Sequence, residues 1–399
     1  MILLLHHRYR HAGGEERAVA DLEWLIRSQL GEDVEVIGRD SREVGTRDAA
    51  LGLVRGGLGP AEVYDAVRRT GARVVHAHNL QPTYGWRALA AAREAGARVV
   101  LHLHNYRLVC AVGTCFTQGA DCTRCHGRNT APGVRLNCRG GSRAESLAYA
   151  AGLALWQRRM TANADAILVP SAFALGRLRE LGAPVGGKAR ALGSVQRTFA
   201  ERSRAGSGEY VLAAGRLTPE KGFADVIDAC AAAGLPLVIA GEGPQRAELE
   251  ARAAAHDGAP AAQPTFGACE PGRGAAGGGP GGGAASVRFV GHVSADELAE
   301  LRARAAVAVV PSRYAEILPL AALESMAAGI PTVAAASGGL VEAVHDLYPP
   351  GDVQALVGKL AERWRDAAAG ERALATARER WSPEVIAREL ASIYATSPG

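Results

Sequence analysis

Residues 211–222 read VLAAGRLTPEKG, and the interpretation of the whole chain starts from this stretch. An apolar run ends at Gly215, Arg216 follows directly, and Lys221-Gly222 closes the stretch. Such a run is typical of a buried strand in a parallel sheet, where carboxyl ends of strands face the ligand crevice. Two cations there suit a diphosphate, arginine as a fork and lysine as a point charge. Two solvated surface cations are the alternative interpretation.

Similar units extend on both sides of this stretch. Apolar runs predict strands at residues 2–5, 34–37, 74–75, 98–103 and 166–169, and again at 210–214, 237–240, 287–290, 306–310 and 332–335. Helical patterns separate these runs, which indicates an α/β protein with parallel sheets.

The two series of strands predict two doubly wound domains. We place an N-terminal domain at residues 1–191, a linker at 192–208 and a C-terminal domain at 209–382. Residues 383–399 are interpreted as a C-terminal helix, for which packing back on the N-terminal domain is one option. Residues 258–285 are almost all Gly, Ala and Pro, which predicts a flexible surface loop inside the second domain.

Composition excludes several classes of protein. The 399 residues carry a net charge of +4 without a block of like charges, so we expect no nucleic-acid partner. Residues 1–5 are too short for the apolar core of a signal peptide, and no apolar run is long enough to span a bilayer. We therefore expect a cytoplasmic protein.

The apolar stretch 147–156 is followed by Arg158 and Arg159. Two interpretations of this stretch stay open, burial in the N-terminal domain and peripheral contact with the inner face of the membrane.

A second motif lies in residues 312–329, SRYAEILPLAALESMAAG. Glu316 falls in a loop after a strand, and Glu324 falls on the helix that follows. Carboxylates accept hydrogen bonds from sugar and ribose hydroxyls. Backbone amides at the start of that helix, including those of Leu318 and Leu320, suit a phosphate. Helix capping and solvation are the alternative roles for the two glutamates.

Taken together, these motifs resemble the donor half of family-four GT-B glycosyltransferases. The resemblance also includes Gly241-Glu242-Gly243-Pro244, Phe289-Val290-Gly291 and Ser337-Gly338-Gly339. In the N-terminal half, residues 6–16 (HHRYRHAGGEE) resemble the first glycine loop of the family, and residues 102–109 (HLHNYRLV) resemble the loop that bears its active-site histidine. The resemblance implies a GT-B fold of two facing Rossmann-like, doubly wound parallel-sheet domains, with the acceptor on the N-terminal side and the donor on the C-terminal side.

The resemblance also implies roles for single residues. Arg216 and Lys221 would bind the donor diphosphate, Glu316 a hydroxyl of the donor sugar and Glu324 the ribose. Gly13 and Gly14 would let the backbone approach the phosphates. His104 would lie beside the donor sugar and the reacting bond, and a packed histidine at a strand end is the alternative. The catalytic set implied is His104, Arg216, Lys221 and Glu316. Asn105 departs from the family, where an aspartate often follows the histidine.

Five cysteines cluster within residues 110–138. Cys122-Thr-Arg-Cys125 has the spacing of a zinc knuckle, and Cys110 and Cys138 complete a set of four thiols for a structural zinc ion. Free thiols and disulfides are the alternatives. Some family-four enzymes resemble this chain in having a cysteine-rich stretch after the active-site histidine.

The function implied is metal-independent, retaining transfer of a sugar from a UDP- or GDP-sugar to a glycan, lipid-linked or small-molecule hydroxyl acceptor. No cofactor is expected for the reaction itself. A nucleotide-sugar epimerase with the same donor groove and a non-catalytic glycan-binding or regulatory homologue are the alternative functions.

Overall fold

The computed structural model describes residues 1–9, 13–257 and 286–395. The predicted loop at 258–285 lies outside the described residues. The chain divides into two compact units. The first unit contains Met1–Arg197, Tyr314–Leu320 and the described residues from Glu379 on, and the second contains Thr198–Arg313 and Ala321–Arg378, where described.

The first unit alternates strands and helices along most of its length. Its strands are β1 (Ile2–Arg8), β2 (Val34–Asp40), β3 (Val74–Ala77), β4 (Arg98–His102), β5 (Phe116–Thr117), β6 (Ala120–Asp121), β7 (Ala166–Val169) and β8 (Ala189–Ala191). Its helices are α1 (Gly14–Gln29), α2 (Thr46–Arg55), α3 (Ala61–Thr70), α4 (Gly85–Glu94), α5 (Ala131–Arg135), α6 (Arg143–Ala162) and α7 (Ala172–Glu180).

The second series has the same alternation. Its strands are β9 (Tyr210–Ala214), β10 (Leu237–Ala240), β11 (Val287–Gly291), β12 (Ala305–Val310), β13 (Thr332–Ala335) and β14 (Asp346–Tyr348). Its helices are α8 (Phe223–Ala233), α9 (Arg246–Asp257), α10 (Ala295–Ala303), α11 (Leu320–Ala327), α12 (Leu340–Ala343), α13 (Val353–Arg363) and α14 (Ala367–Trp381), and the chain then forms α15 (Pro383–Ala395).

The sheet of the first unit is parallel, with strand order β2-β1-β3-β4-β7-β8. Its core strands are apolar on both faces because helices cover both sides, and Leu3, Val75 and Ile167 are fully buried. The order reverses between β1 and β3. In open α/β sheets, ligands bind outside the carboxyl ends of strands at such a switch point.

The sheet of the second unit is also parallel, with strand order β11-β10-β9-β12-β13-β14. Counted within the unit, this is the 3-2-1-4-5-6 order of the Rossmann fold, with its switch point between β9 and β12. Val211, Ile239 and Val307 lie in the buried apolar core. The Arg216–Lys221 loop follows β9 directly, so the sheet topology places it at the switch point.

The last helix, α15, packs within the first unit. Its Ile386, Leu390 and Ile393 are buried, and the helix contacts α1. The Tyr394 hydroxyl lies 2.7 Å from His76 Nδ1 of β3. This polar contact, buried against β3, fixes the end of the helix. Across the described ranges, no helix has both the length and the apolar character needed to cross a bilayer.

Gly222 offers a test of the second unit. Its φ is +71°, and a Cβ built on it would lie 2.2 Å from the carbonyl oxygen of Pro311. Gly234 has a similar φ of +65° but nothing within 4 Å of the same position. We expect Gly234→Ala to cost about 1–2 kcal/mol of unfolding free energy, the penalty for left-handed backbone. Gly222→Ala should cost about 1–3 kcal/mol more, because the loop must move away from β12.

Urea unfolding of the two variants beside the wild-type chain measures this difference. Equal losses in the two variants would contradict the close approach of the two loops.

Candidate functional site

The Arg–Lys loop is tied to the end of β12. Its last turn, Pro219–Lys221, is a short 3-10 helix that ends at Gly222. The backbone N–H of Arg313 donates to the carbonyl of Glu220 at 2.9 Å. The Arg313 guanidinium also donates to the buried carboxylate of Asp225 in the first turn of α8. The loops that follow β9 and β12 are therefore held together at the switch point.

A second set of close contacts holds the other end of the loop. A Cβ on Gly241 would lie 1.8 Å from the carbonyl oxygen of Gly215, and one on Gly243 would lie 2.3 Å from that of Leu217. Backbone hydrogen bonds run from Leu217 N–H to Glu242 and from Gln245 N–H to Leu217. The Gly-Glu-Gly-Pro motif thus lets the loop after β10 lie directly on the backbone that carries the cations.

The Arg216 side chain is exposed, and within the described residues its guanidinium makes no hydrogen bond or ion pair. Lys221 is half-buried in the 3-10 turn. A rigid backbone therefore presents a guanidinium to solvent at the switch point. This arrangement can bind an anion without first breaking an ion pair of the protein.

Glu324 lies on α11, which begins at Leu320, as the sequence predicts. Its Oε2 forms an ion pair with Arg302 of α10, a partner that no motif in the sequence indicated. Both side chains are mostly buried, with exposed fractions of 20% for Glu324 and 11% for Arg302. A carboxylate has about four lone-pair sites, so Oε1 retains the capacity to accept from hydroxyl groups.

Glu316 lies in the first unit, where it is buried. The Tyr314 hydroxyl donates to Glu316 Oε2 at 2.8 Å. The Ser171 hydroxyl, at the start of α7, donates to the carbonyl of Ile317. These contacts anchor the loop on both sides of Glu316. Leu318 in the same loop is half-buried.

Gly13 and Gly14 open helix α1. Glu16 folds back so that its carboxylate accepts from the N–H groups of Gly13, at 2.8 Å, and Tyr9, at 2.9 Å. A Cβ on Gly14 would lie 3.6 Å from the side chain of Leu320. The structure thus brings together two predicted donor-binding positions, Gly14 and Leu320, and it commits Glu16 to capping the helix.

Sequence reasoning missed a buried polar network beside this glycine turn. Tyr9 donates its hydroxyl proton to Glu15 at 2.9 Å and accepts from Asn105 Nδ2 at 3.1 Å and from Arg107 Nη1 at 2.8 Å. Burial raises the pKa of Glu15, opposed by the neighbouring His6 and Arg107. Asn105 therefore serves as a hydrogen-bond donor to Tyr9, which a carboxylate at this position could not do.

His104 stacks on a group of buried histidines at the ends of β3 and β4. Its Nε2 lies 2.8 Å from His78 Nδ1, and its ring centroid lies 4.3 Å from that of His102. His76 joins the same stack, with Nε2 at 3.2 Å from His102 Nδ1. His76, His78 and His102 are buried, and they lie on one face of two adjacent strands.

Burial keeps these imidazoles neutral. Desolvation lowers the pKa of His102 to about 3. Desolvation, together with the neighbouring imidazoles, also lowers the pKa of His76, His78 and His104 well below 6.5. A neutral His104 offers a hydrogen-bond donor or acceptor rather than a positive charge.

The cysteine cluster lies in the first unit as well. Cys110, Cys115, Cys122, Cys125 and Cys138 line one cavity of about 20 Å³. None of the six described cysteines forms a disulfide, and Cys269 lies outside the described residues. Contact with Cys115 and with backbone N–H groups lowers the pKa of Cys110 to about 6.

Comparison with known proteins agrees with this architecture. A glycosyl transferase 4-like domain model matches residues 10–187, and a model of glycosyl transferases group 1 matches residues 276–366. Both models describe glycosyl transferases, and between them they match sequence in both halves of the chain. The predicted fold class of two doubly wound parallel-sheet domains is confirmed by the two sheets.

Three relatives illustrate the range of similarity. Glycogen synthase of Mycobacterium tuberculosis is 34% identical over 209 residues, which is 49% of this chain and 44% of that protein. D-inositol 3-phosphate glycosyltransferase 2 of Catenulispora acidiphila is 40% identical over 121 residues, 28% of either chain. The match thus spans less than half the length of these curated relatives. Anabaena Alr3699/HepE, solved with UDP, superposes with a TM-score of 0.61 at 19% identity and 98% coverage of both chains.

The stretch that left membrane contact open lies within α6. Ser146, Ala150 and Leu153 of this helix are buried, whereas the side chains of Leu147 and Leu155 are 58% and 47% exposed. Peripheral membrane contact through α6 stays a prediction.

The histidine stack predicts an acid-sensitive fold. An unfolded histidine has a pKa near 6.5, so below that pH residue 102 binds a proton in the unfolded chain. In the folded chain, buried His102 binds this proton only near pH 3. The stabilisation is present above about pH 6.5 and is lost progressively as the pH falls towards 3. Between about pH 7.5 and 5.5, we expect the wild-type chain to lose about 1 kcal/mol more unfolding free energy than His102→Asn.

Denaturant unfolding at the two pH values measures this difference. The matched control is His292→Asn, which changes an exposed histidine and should keep the wild-type pH dependence. An unchanged pH dependence in His102→Asn would contradict the neutral, buried stack.

Proposed function

We propose that this chain is a retaining glycosyltransferase, which moves a sugar from a nucleoside-diphosphate sugar to a hydroxyl acceptor. The observation that carries the proposal is the Arg216–Lys221 loop, held by backbone contacts at the switch point of a Rossmann sheet. Rossmann sheets bind nucleotides at this place. Both family models describe glycosyl transferases, and the Anabaena neighbour was solved with UDP, so a UDP-sugar is the first donor to test and a GDP-sugar the second.

The reaction breaks the bond between the anomeric carbon and the phosphate oxygen. The acceptor oxygen forms its new bond on the same face of the sugar, and the acceptor proton leaves with the departing phosphate. Negative charge grows on that phosphate in the transition state. Arg216 and Lys221 would stabilise this charge from a backbone that needs no reorganisation, so we propose that catalysis needs no metal ion.

Glu324 would hold the ribose through the oxygen that Arg302 leaves available. The ion pair fixes the position of the carboxylate, and hydroxyl groups donate strongly to a carboxylate. The roles of Glu316 with the donor sugar, of His104 at the reacting bond, and of Gly13 and Gly14 at the phosphates stay predictions of the same proposal.

Two alternatives make different predictions. An epimerase would interconvert nucleotide sugars without any acceptor. A non-catalytic homologue would neither consume a nucleotide sugar nor depend on Arg216. The proposed acceptor carries a hydroxyl group and is a glycan, a lipid-linked sugar or a small molecule.

The first experiment is a thermal-shift series with UDP, GDP, ADP and TDP and their sugars. A ligand that binds only the folded state raises the melting temperature by mass action. A shift with one diphosphate identifies the donor base. Absence of a shift with all four would count against a nucleotide-sugar enzyme.

Arg216→Ala tests the diphosphate role. Loss of one preorganised contact to the transition-state charge typically costs about 2.7–4 kcal/mol, so turnover should fall roughly 100- to 1,000-fold while the melting temperature stays near that of the wild type. Arg204→Ala removes another exposed arginine of the second unit and should keep full turnover. Wild-type turnover in Arg216→Ala would refute the assignment.

Glu324→Gln tests the ribose role. The wild-type protein should bind UDP about 10- to 100-fold more tightly than 2′,3′-dideoxy-UDP, because hydrogen bonds to a charged group contribute about 1.5–3 kcal/mol. The variant should reduce this ratio severalfold or more, since a neutral amide accepts more weakly. Glu300→Gln, an exposed change on α10, should keep the wild-type ratio. Calorimetric titration gives both affinities, and an unchanged ratio in Glu324→Gln would exclude ribose binding by this residue.

A further inference from the structure

The segment that follows His104 has little regular structure. Residues 105–142 contain a hairpin of two-residue strands, β5 and β6, and the five-residue helix α5. Cys115, Gln118 and Asn137 have left-handed backbone, with φ of 52°, 53° and 46°. Such conformations cost about 1–3 kcal/mol each and persist only where the surroundings hold them. A long irregular segment with this strain needs a constraint beyond its own hydrogen bonds.

The cysteines of this segment come together although they are far apart in sequence. Cys110 follows the turn after His104, Cys122 and Cys125 follow the hairpin, and Cys138 follows α5. Backbone hydrogen bonds hold three of them in place: Cys110 N–H to Tyr106, Cys122 N–H to Cys115, and Cys138 N–H to Gly133. The cavity of about 20 Å³ that they line is large enough for a single small ion.

Four of the five thiols are suited to share one ligand. Cys110, Cys122, Cys125 and Cys138 are half-buried, whereas Cys115 is 2% exposed and packs in the apolar core of the unit. Two of the four have the Cys-x-x-Cys spacing of a metal knuckle. Structural zinc sites are commonly closed by four thiolates in a tetrahedron.

We propose that Cys110, Cys122, Cys125 and Cys138 bind one structural zinc ion, which cross-links the segment after His104. Binding replaces four thiol protons by four zinc–sulfur bonds and releases the protons to solvent. Among the described residues, no three of these sulfurs lie within 4.8 Å of one another, as the ligand atoms of His76, His78 and His102 do. Rotation of the cysteine side chains must therefore bring the sulfurs to about 2.3 Å from the metal.

Among the described residues, His76, His78 and His102 form the alternative candidate for a metal site. Their rings are stacked, with interplanar angles of 6°, 23° and 29°. A metal binds imidazole in the ring plane, so nearly parallel planes do not converge on one ion. His76 also uses both ring nitrogens in contacts with Tyr394 and His102. The cysteines are therefore the better site.

A zinc ion at this site would also help to hold Glu316, a predicted donor-binding residue, in place. Phe116 lies in the hairpin between Cys115 and Cys122, and its ring contacts Tyr314 edge-on at 6.4 Å. Tyr314 in turn donates to Glu316. Any effect of zinc on donor binding rests on the proposed function, whereas zinc binding itself does not.

The test is the metal content of the full-length protein, measured by inductively coupled plasma mass spectrometry. We expect about one zinc ion per chain. Cys125→Ser and Cys138→Ser should each lower the zinc content at least severalfold. Two control variants should keep the wild-type zinc content. Cys230→Ala changes a buried cysteine of the second unit, and His102→Asn changes the histidine group.

Cobalt provides a readout that does not depend on the folding of the variants. Cobalt exchanged into the wild-type chain should give a thiolate-to-metal charge-transfer band and the intense visible bands of a tetrahedral thiolate site. Absence of metal, iron in place of zinc, zinc that follows His102 instead of the cysteines, or a cobalt spectrum without thiolate bands would each overturn the proposal. Loss of nucleotide binding with zinc intact would instead count against the proposed function alone.

Discussion

The close approach of Gly222 to the carbonyl of Pro311 is the constraint on which the Arg216–Lys221 loop of the second unit depends. It joins the loops after β9 and β12, the two strands that flank the switch point. The Arg313 contacts to Glu220 and Asp225 reinforce the same junction. These contacts fix the backbone that carries Arg216 and Lys221. Under the proposed function, such a fixed arrangement is the condition in which charged groups contribute most to catalysis.

The sequence predicts most strands of the two large sheets but misses the last strand of each sheet, β8 and β14. Residues 166–169, 210–214, 237–240 and 332–335 are strands with the predicted bounds, because buried parallel strands are short apolar runs between glycine or proline turns. β8 reads Ala-Arg-Ala and β14 reads Asp-Leu-Tyr, so neither contains such an apolar run. β1 extends past the predicted residue 5 to Arg8 because His6 and His7 are buried in the sheet.

The residues of the candidate site also fall into two groups, those that the sequence indicates and those that it does not. Arg216, Lys221, Glu316 and Glu324 could be named because each lies in a compact local motif. The partner of Glu324, Arg302, and the network around Tyr9 join residues that are far apart in the chain, so no local pattern reveals them. The histidine stack did leave a signal. His76 with His78, and His102 with His104, each lie two residues apart at the end of a strand, which places each pair on one face of its strand.

The stack also links the C-terminal helix to the histidine loop through protonation. The pKa of Tyr394 is raised well above 10 by burial, so its hydroxyl keeps its proton. A hydroxyl can donate or accept and a neutral imidazole carries one proton, so the direction of the Tyr394 contact and the tautomers of His76 and His102 change together. A residue of the last helix is therefore coupled to the tautomers of two histidines of the stack. The position of α15 against β3 therefore depends on this polar contact as well as on the apolar face of the helix.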